Sequence, residues 1–399
     1  MTLWQPALPE RYDAMSSQEL ADAITARRRE LGDRLLILGH HYQTDEVIRH
    51  ADFTGDSLKL SQLAASRVRE RGVSNIVFCG VHFMAESADL LAPPGTNVIL
   101  PDLSAGCSMA DMAAYPDALQ AWDDLHAALA HRGWTGRIIP ITYVNSTAAV
   151  KAFVGARGGA CCTSSNARQV FQWASAGGTI PRAPHEDIKI FFLPDQHLGR
   201  NTAASFGIDV AAHTALYDPR LARAGRELGG IDPDTLPDAR AILWAGHCSV
   251  HKLFRPEHCE QIRRDEPQMR ILVHPECCKE VVDRADLAGS TEFIIRTISS
   301  APPGSRWAVG TEIHLVKRLA RLAAERGVFV RILSDCQCLC TTMYRIDEPH
   351  LLWTLDNLAQ GKVVNRISVH PDARGPALDA LDRMLALSAP APTPAGASA

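Results

Sequence analysis

Residues Arg34–Gln43 read RLLILGHHYQ, four consecutive apolar residues, a glycine, and then His40, His41 and Tyr42. An apolar run this short, broken by glycine, reads as a strand buried on both faces that feeds a polar loop. The scheme recurs at NIVFCGVHFMAES (75–87), NVILPDLSAGC (97–107), GRIIPITYVNS (136–146), IKIFFLPDQHLG (188–199), ARAILWAGHC (239–248), MRILVHPECC (269–278) and VFVRILSDCQC (328–338). Between these runs lie helical stretches, DALQAWDDLHAALA (117–130) and EIHLVKRLARLAAER (312–326) among them. An earlier stretch, SSQELADAITARRRE (16–30), reads as a helix capped by Ser16 or Ser17. Strands alternating with helices predict α/β architecture with parallel sheets covered on both faces. In such folds the loops at the carboxyl ends of the strands form the ligand site, and those loops carry the polar residues here.

The chain has 399 residues, 46% hydrophobic and 22% charged, which suits two or three globular domains. A formal charge of -4 supplies no basic footprint for nucleic acid. No apolar run approaches the roughly 18–20 residues that would cross a bilayer. The opening MTLWQPALPERYDAM lacks a basic region followed by an apolar one, so the expectation is a cytosolic protein. The closing SAPAPTPAGASA is expected to be disordered.

Eleven cysteines in a reducing compartment are expected to be free thiols. Three runs end in a cysteine loop, at Cys107, Cys248 and the SDCQCLCTTMY segment (334–344) that holds Cys336, Cys338 and Cys340. Single thiols from three separate loops do not match the paired knuckles of structural zinc. They suit an iron–sulfur cubane gripped at three irons, the alternative being scattered buried thiols. Histidines and a carboxylate, His40, His247, His251, His274 and Glu276, gather at strand ends where acid–base chemistry is plausible. Asp102 and Asp195 read as loop caps. Ser57, Thr163–Asn166 and Ser290–Thr291 each precede a helix, where free N–H groups suit phosphate or carboxylate, or where the hydroxyls simply cap. Tyr143 and Asn145 add hydrogen-bonding groups. ADFTGDS (51–57) and ADLAGST (285–291) form a faint internal echo.

Together GHHYQ, ADFTGDSL, CGVHFMAE, LPDLSAGCSMAD, TYVNSTAAVKA, CTSSNA, PDQHLGRNTA, GHCSVH, HPEC, GSTEFII, GTEIHLV and the closing cysteine loop resemble the quinolinate synthase family. These are iron–sulfur enzymes of de novo NAD biosynthesis, and the resemblance runs in order from about His40 to Leu355. It implies condensation of iminoaspartate with dihydroxyacetone phosphate to quinolinate, phosphate and water, a transferase of the EC 2.5.1 class. It implies three similar α/β domains about a pseudo-threefold axis, with the site in the central cavity. The expected division is 1–108 with 341–390, an enlarged second domain at 109–247, a third at 248–340, and a tail at 391–399. Carried over by motif, Cys107, Cys248 and Cys340 would ligate a 4Fe–4S cluster, with Cys338 as the alternative third ligand. His40, Tyr42, His251, His274 and Glu276 would serve catalysis. His40, Ser57, Tyr143, Asn145, Ser164, His274, Glu276, Ser290 and Thr291 would bind substrates. The implied partners are those small molecules and an enzyme that supplies iminoaspartate; the chain would be a monomer or homodimer. Cys161, Cys162, Cys277 and Cys278 are expected to be packed thiols.

Two other readings remain at this stage. One is a zinc hydrolase built on His40, His274 and Glu276. The other is a cluster-based redox sensor, which would need a partner-binding element that the sequence does not display.

Overall fold

The computed structural model describes residues 5–335 and 338–388, so Cys336 and the tail from 389 onward lie outside the described residues. In chain order the strands are β1 (Leu35–His40), β2 (Phe53–Gly55), β3 (Asn75–Cys79) and β4 (Asn97–Ile99). There follow β5 (Arg137–Tyr143), β6 (Ala160–Cys162), β7 (Ile188–Leu193), β8 (Thr214–Tyr217) and β9 (Ala241–Trp244). The last are β10 (Arg270–Val273), β11 (Leu287–Ala288), β12 (Arg306–Gly310), β13 (Phe329–Ile332) and β14 (Arg366–Ile367).

They form three sheets, ordered β2-β1-β3-β4-β14, β6-β5-β7-β9-β8 and β11-β10-β12-β13. All described pairings are parallel except that of β14 with β4. Within each sheet the second strand in sequence flanks the first on one side and the third on the other. The second sheet departs from this order only by β8, added at its edge beyond β9.

The eight apolar runs of the sequence all become strands, and β1 and β7 are buried along their whole length. The short strands β2, β6, β11 and β14 carry no such apolar signature. The first of them explains the internal echo. Asp52, just before β2, accepts the N–H of Ile37 at 2.7 Å and gives its own N–H to the Ile37 carbonyl. Asp286, just before β11, makes the same pair of bonds with Ile271 on β10. The two Ala-Asp segments therefore occupy the same place in two copies of one strand arrangement.

Helix boundaries follow their caps. Ser16 and Glu19 form a reciprocal capping box at the start of helix Ser17–Leu31. Asp195 Oδ1 accepts from the N–H groups of His197 and Leu198 at the start of helix Gln196–Ala204, and Asp102 accepts from Ser104 in its turn. One apolar core runs continuously under the first and second sheets, whereas the third sheet carries separate clusters on its two faces.

The chain's end ties the first two sheets together. β14 joins the edge of the first, and helix Pro371–Ser388 then packs along helix Ala148–Ala156 of the second. The contact is backbone to backbone: a Cβ on Gly155 would overlap the carbonyl of Pro376. Arg383 donates to the carbonyls of Gly155 and Gly159 across the same contact. In an ordinary helix interior, alanine is favoured over glycine by roughly 0.5–1 kcal/mol. At this position the sign reverses. Gly155→Ala is expected to cost about 1–3 kcal/mol, as overpacking does. A lower urea midpoint at unchanged slope would show it, and a raised midpoint would refute the close packing.

Candidate active site

The carboxyl-terminal ends of strands from all three sheets open onto one cavity. From the first sheet it is lined by His40 and Tyr42 after β1, Asp56 and Ser57 after β2, and Cys107 after β4. The second supplies Tyr143 and Asn145 at the end of β5, Thr163 and Ser164 after β6, and Cys248 and His251 after β9. The third supplies His274 and Glu276 after β10, Thr291 after β11, and Cys340, Thr342 and Met343 after β13. Every residue that the resemblance assigned to catalysis, substrate binding or the cluster lines this cavity except Ser290, while His247 and the alternative ligand Cys338 lie outside its lining. That hydroxyl accepts the Phe293 N–H at 3.3 Å and caps helix Thr291–Ser299.

The strand ends repeat their local chemistry. His40 Nδ1 accepts the N–H of Tyr42 at 3.2 Å, and His274 Nδ1 accepts the N–H of Glu276 at 3.3 Å. Each neutral ring then carries its proton on Nε2 and offers a donor there. Burial pushes both imidazoles down to about 3, so they are neutral at pH 7.

Glu276 is the buried charge of the site. Burial opposes its ionisation, but His251 beside it and the hydrogen bonds from His251 and Tyr143 outweigh that and hold the carboxyl below its usual range. His251 Nδ1 lies 2.7 Å from Glu276 Oε2, and the His251 ring stacks on His274 at 4.5 Å between centroids. Tyr143 also bonds Ser164. Burial raises the phenols of Tyr42 and Tyr143 well above their ordinary value, so both keep their protons. Asn145 Oδ1 is buried and has no protein partner.

Three thiols face one another across the cavity, each on a different sheet's last loop. They lie close enough together that a charge on Cys340 would raise the other two thiols further. Each sulfur also receives backbone N–H groups from the turn that follows it. Met109 and Ala110 point at Cys107, His251 at Cys248, and Thr342 and Met343 at Cys340. Burial nonetheless pushes the Cys107 thiol up to about 12. Three convergent sulfurs with N–H donors in place, yet held protonated by burial, fit a thiolate-bound metal group, whose own charge would offset the burial.

Cys338 lies elsewhere, wholly buried in the third sheet's core with Sγ 3.3 Å from Ser334 Oγ. Cys161, Cys162 and Cys277 are likewise buried, and Cys278 is partly so. The ligand atoms of Cys248, His251 and Glu276 lie within 4.8 Å of one another, the one such metal-capable group found among the described residues. The sequence-level trio of His40, His274 and Glu276 does not form one.

Two residues that the sequence reading passed over support the site. Lys151, wholly buried on helix Ala148–Ala156, donates its ammonium to the Ser146 carbonyl and so fixes the turn that carries Tyr143 and Asn145. Thr311, at the end of β12, touches both Tyr42 and His251. Its threonine lay within GTEIHLV and had no signal of its own.

A family model described as quinolinate synthetase A protein matches residues 22–386. The chain belongs to the quinolinate synthetase A family. Among its relatives, "Quinolinate synthase" of Nocardioides sp. is 52% identical over 375 residues, covering 93% of this chain and 90% of that one. The protein of the same name from Rhodopirellula baltica is 47% identical over 386 residues, 94% and 93% of the two chains. That of Acidobacterium capsulatum is 50% identical over 376 residues, 94% and 95%. Family membership thus spans all three sheets and every strand end at the cavity. Among the described residues of this quinolinate synthetase A family protein, no helix is long and apolar enough to cross a membrane.

The two neighbouring hydroxyls at 290 and 291 give a direct check on the cavity wall. Ser290→Ala should cost about 1 kcal/mol of stability, the worth of a lost N-cap. Thr291→Ala should cost less, because it removes one hydrogen bond to the Tyr42 hydroxyl and no cap. Thermal unfolding of the two variants measures the difference; equal losses would place both hydroxyls in the same role.

Proposed function

We propose that the protein is a quinolinate synthase, condensing iminoaspartate with dihydroxyacetone phosphate to give quinolinate, phosphate and water. One observation carries this reading: three loop thiols, a buried ionised glutamate, two neutral histidines and a ring of hydroxyls from three sheets line a single cavity. The activity would fall in the EC 2.5.1 transferase class. We assign the first domain to 1–108 with 341–390, the second to 109–247 and the third to 248–340, each centred on one sheet.

Cys107, Cys248 and Cys340 would hold a 4Fe–4S cluster. With three protein sulfurs for four irons, the cluster when bound would supply a Lewis-acid iron at its open corner. The remaining chemistry belongs to the side chains. Ser57, Ser164 and Thr291, at equivalent strand ends of the three sheets, would receive phosphate and carboxylate oxygens. His40 and His274 would donate from Nε2 to the same anionic groups, a role their neutrality permits. Asn145 Oδ1, lacking a protein partner, would accept from the amine or hydroxyl of a bound substrate. Glu276, ionised at neutral pH, would take protons during imine formation, isomerisation and dehydration. Tyr42 and Tyr143, held protonated, would return them. We infer cytoplasmic location, a monomer or homodimer, and dependence on an enzyme that supplies iminoaspartate.

A second reading rests on the Cys248–His251–Glu276 group, which would suit one zinc ion and hydrolysis. The Glu276–His251 hydrogen bond at 2.7 Å already engages two of its three ligands with each other, which disfavours it.

Iron and sulfide analysis of anaerobically purified protein, with a quinolinate assay, separates the two. Cys107→Ala, Cys248→Ala and Cys340→Ala should each lose iron, sulfide and activity. Retention in Cys340→Ala with loss in Cys338→Ala would move the third ligand to Cys338, and zinc without sulfide in the unmutated protein would overturn the cluster. Glu276→Gln should keep its iron while kcat falls about 10²-fold or more, the range of a lost general base. Unchanged turnover would remove Glu276 from the acid–base chemistry.

A further inference from the structure

Thr311 follows β12 and precedes Glu312, whose carboxylate caps helix Ile313–Ala324. Its side chain is wholly buried and is not part of the cavity wall. The hydroxyl stands 2.9 Å from the Tyr42 hydroxyl and 3.2 Å from His251 Nε2. Beyond these, His251 Nδ1 is 2.7 Å from Glu276 Oε2, and the Tyr42 hydroxyl is 3.2 Å from Thr291 Oγ1. Glu276, His251, Thr311, Tyr42 and Thr291 thus form one unbroken hydrogen-bonded chain. Glu276 and Thr291 meet the cavity at its two ends, Tyr42 and His251 meet it along the way, and only Thr311 lies behind the wall.

We propose that Thr311 is a positioning residue that joins the Glu276–His251 pair to Tyr42 as a proton relay. The proposal rests on the quinolinate synthase reading of the site and adds a group which that reading leaves out.

The residue type is what the geometry demands. A hydroxyl has one donor and two acceptor lone pairs, so it can accept from one neighbour while donating to the other. Rotation about the C–O bond reverses the direction without moving a heavy atom. In one direction, Tyr42 takes a proton from a bound group as it gives its phenolic proton to Thr311 Oγ1. Thr311 gives its own proton to His251 Nε2, and His251 gives its Nδ1 proton to Glu276. Each O–H or N–H bond broken is matched by one formed, and the net change is one proton moved from the cavity to the Glu276 carboxylate. Run in reverse, the chain returns that proton to Tyr42. A substrate deprotonated at Tyr42 could therefore be reprotonated from Glu276 without water entering.

The test compares Thr311→Val, which keeps the side-chain volume and removes the hydroxyl, with Thr311→Ser, which keeps the hydroxyl. Iron content and circular dichroism confirm that each variant is loaded and folded. Thr311→Val should lose about 10²-fold in kcat, a typical share for positioned proton transfer, with KM nearly unchanged. Thr311→Ser should recover most of that loss. In a Tyr42→Phe background the valine should cost little more, because residues that act as one unit lose activity non-additively. Should the valine variant fail to fold, Thr311→Ala carries the same expectations. Unmutated kcat in the valine or alanine variant, failure of serine to rescue, or a full additive loss in the Tyr42→Phe background would each overturn the relay. An unmutated enzyme that forms no quinolinate would overturn the functional reading itself, and the relay with it.

Discussion

Parallel pairing constrains where the polar residues of this chain can go. Strands that run the same way end at the same edge of their sheet, so every loop that follows a strand emerges on one side. Three sheets built this way, with their carboxyl ends turned toward one another, bring His40, Tyr143 and His274 to a common space although they are far apart in sequence. The same constraint acts strand by strand. The first strand of each sheet delivers an aromatic or acid–base group, the second a hydroxyl at a helix start, and the last parallel strand before the crossing to the next unit a cysteine. Cys107, Cys248 and Cys340 thus arise from one topological position used three times.

Burial then decides what those residues can do. Within the cavity wall, removal from water makes His40 and His274 neutral donors and keeps the phenols of Tyr42 and Tyr143 protonated. Glu276 stays charged, because His251 and Tyr143 hydrogen-bond to it. An acid, a base and a set of neutral donors result from residues whose unperturbed behaviour would not sort them so. The thiols are the unresolved charge: burial holds them neutral, yet backbone N–H groups aim at each sulfur. That combination is what a cationic metal group would satisfy.

The repeat also shows where the chain departs from symmetry. Asp52 and Asp286 pin β1 and β10 by the same pair of hydrogen bonds, and His40 and His274 receive the same backbone donor two residues on. The second unit has no histidine at the corresponding strand end; Tyr143 and Asn145 stand there, supported from below by Lys151. Two similar walls and one different wall leave the cavity without threefold symmetry.

The sequence by itself determined the fold class and eight of the described strands, because residues buried on both faces must be continuously apolar and their ends must be polar. It also determined the candidate thiols, the strand-end histidines and a cap at Ser16 or Ser17, since each is a local pattern. It did not reveal β8 or β12, nor β2, β6, β11 and β14, whose two or three residues owe their strand conformation to a neighbour already in place rather than to their own propensity. Nor did it separate Ser290 from Thr291, or Cys338 from Cys340, since adjacent or alternate residues differ only in which way the folded backbone turns them. Tertiary structure alone decided that Ser290 caps its helix while Thr291 meets the cavity, and that Cys340 faces Cys107 and Cys248 while Cys338 joins a core. Thr311 is the clearest case: a threonine after a strand is unremarkable until Tyr42 and His251, from two other sheets, close on its hydroxyl, because hydrogen bonding depends on distance in space and the sequence records only distance along the chain.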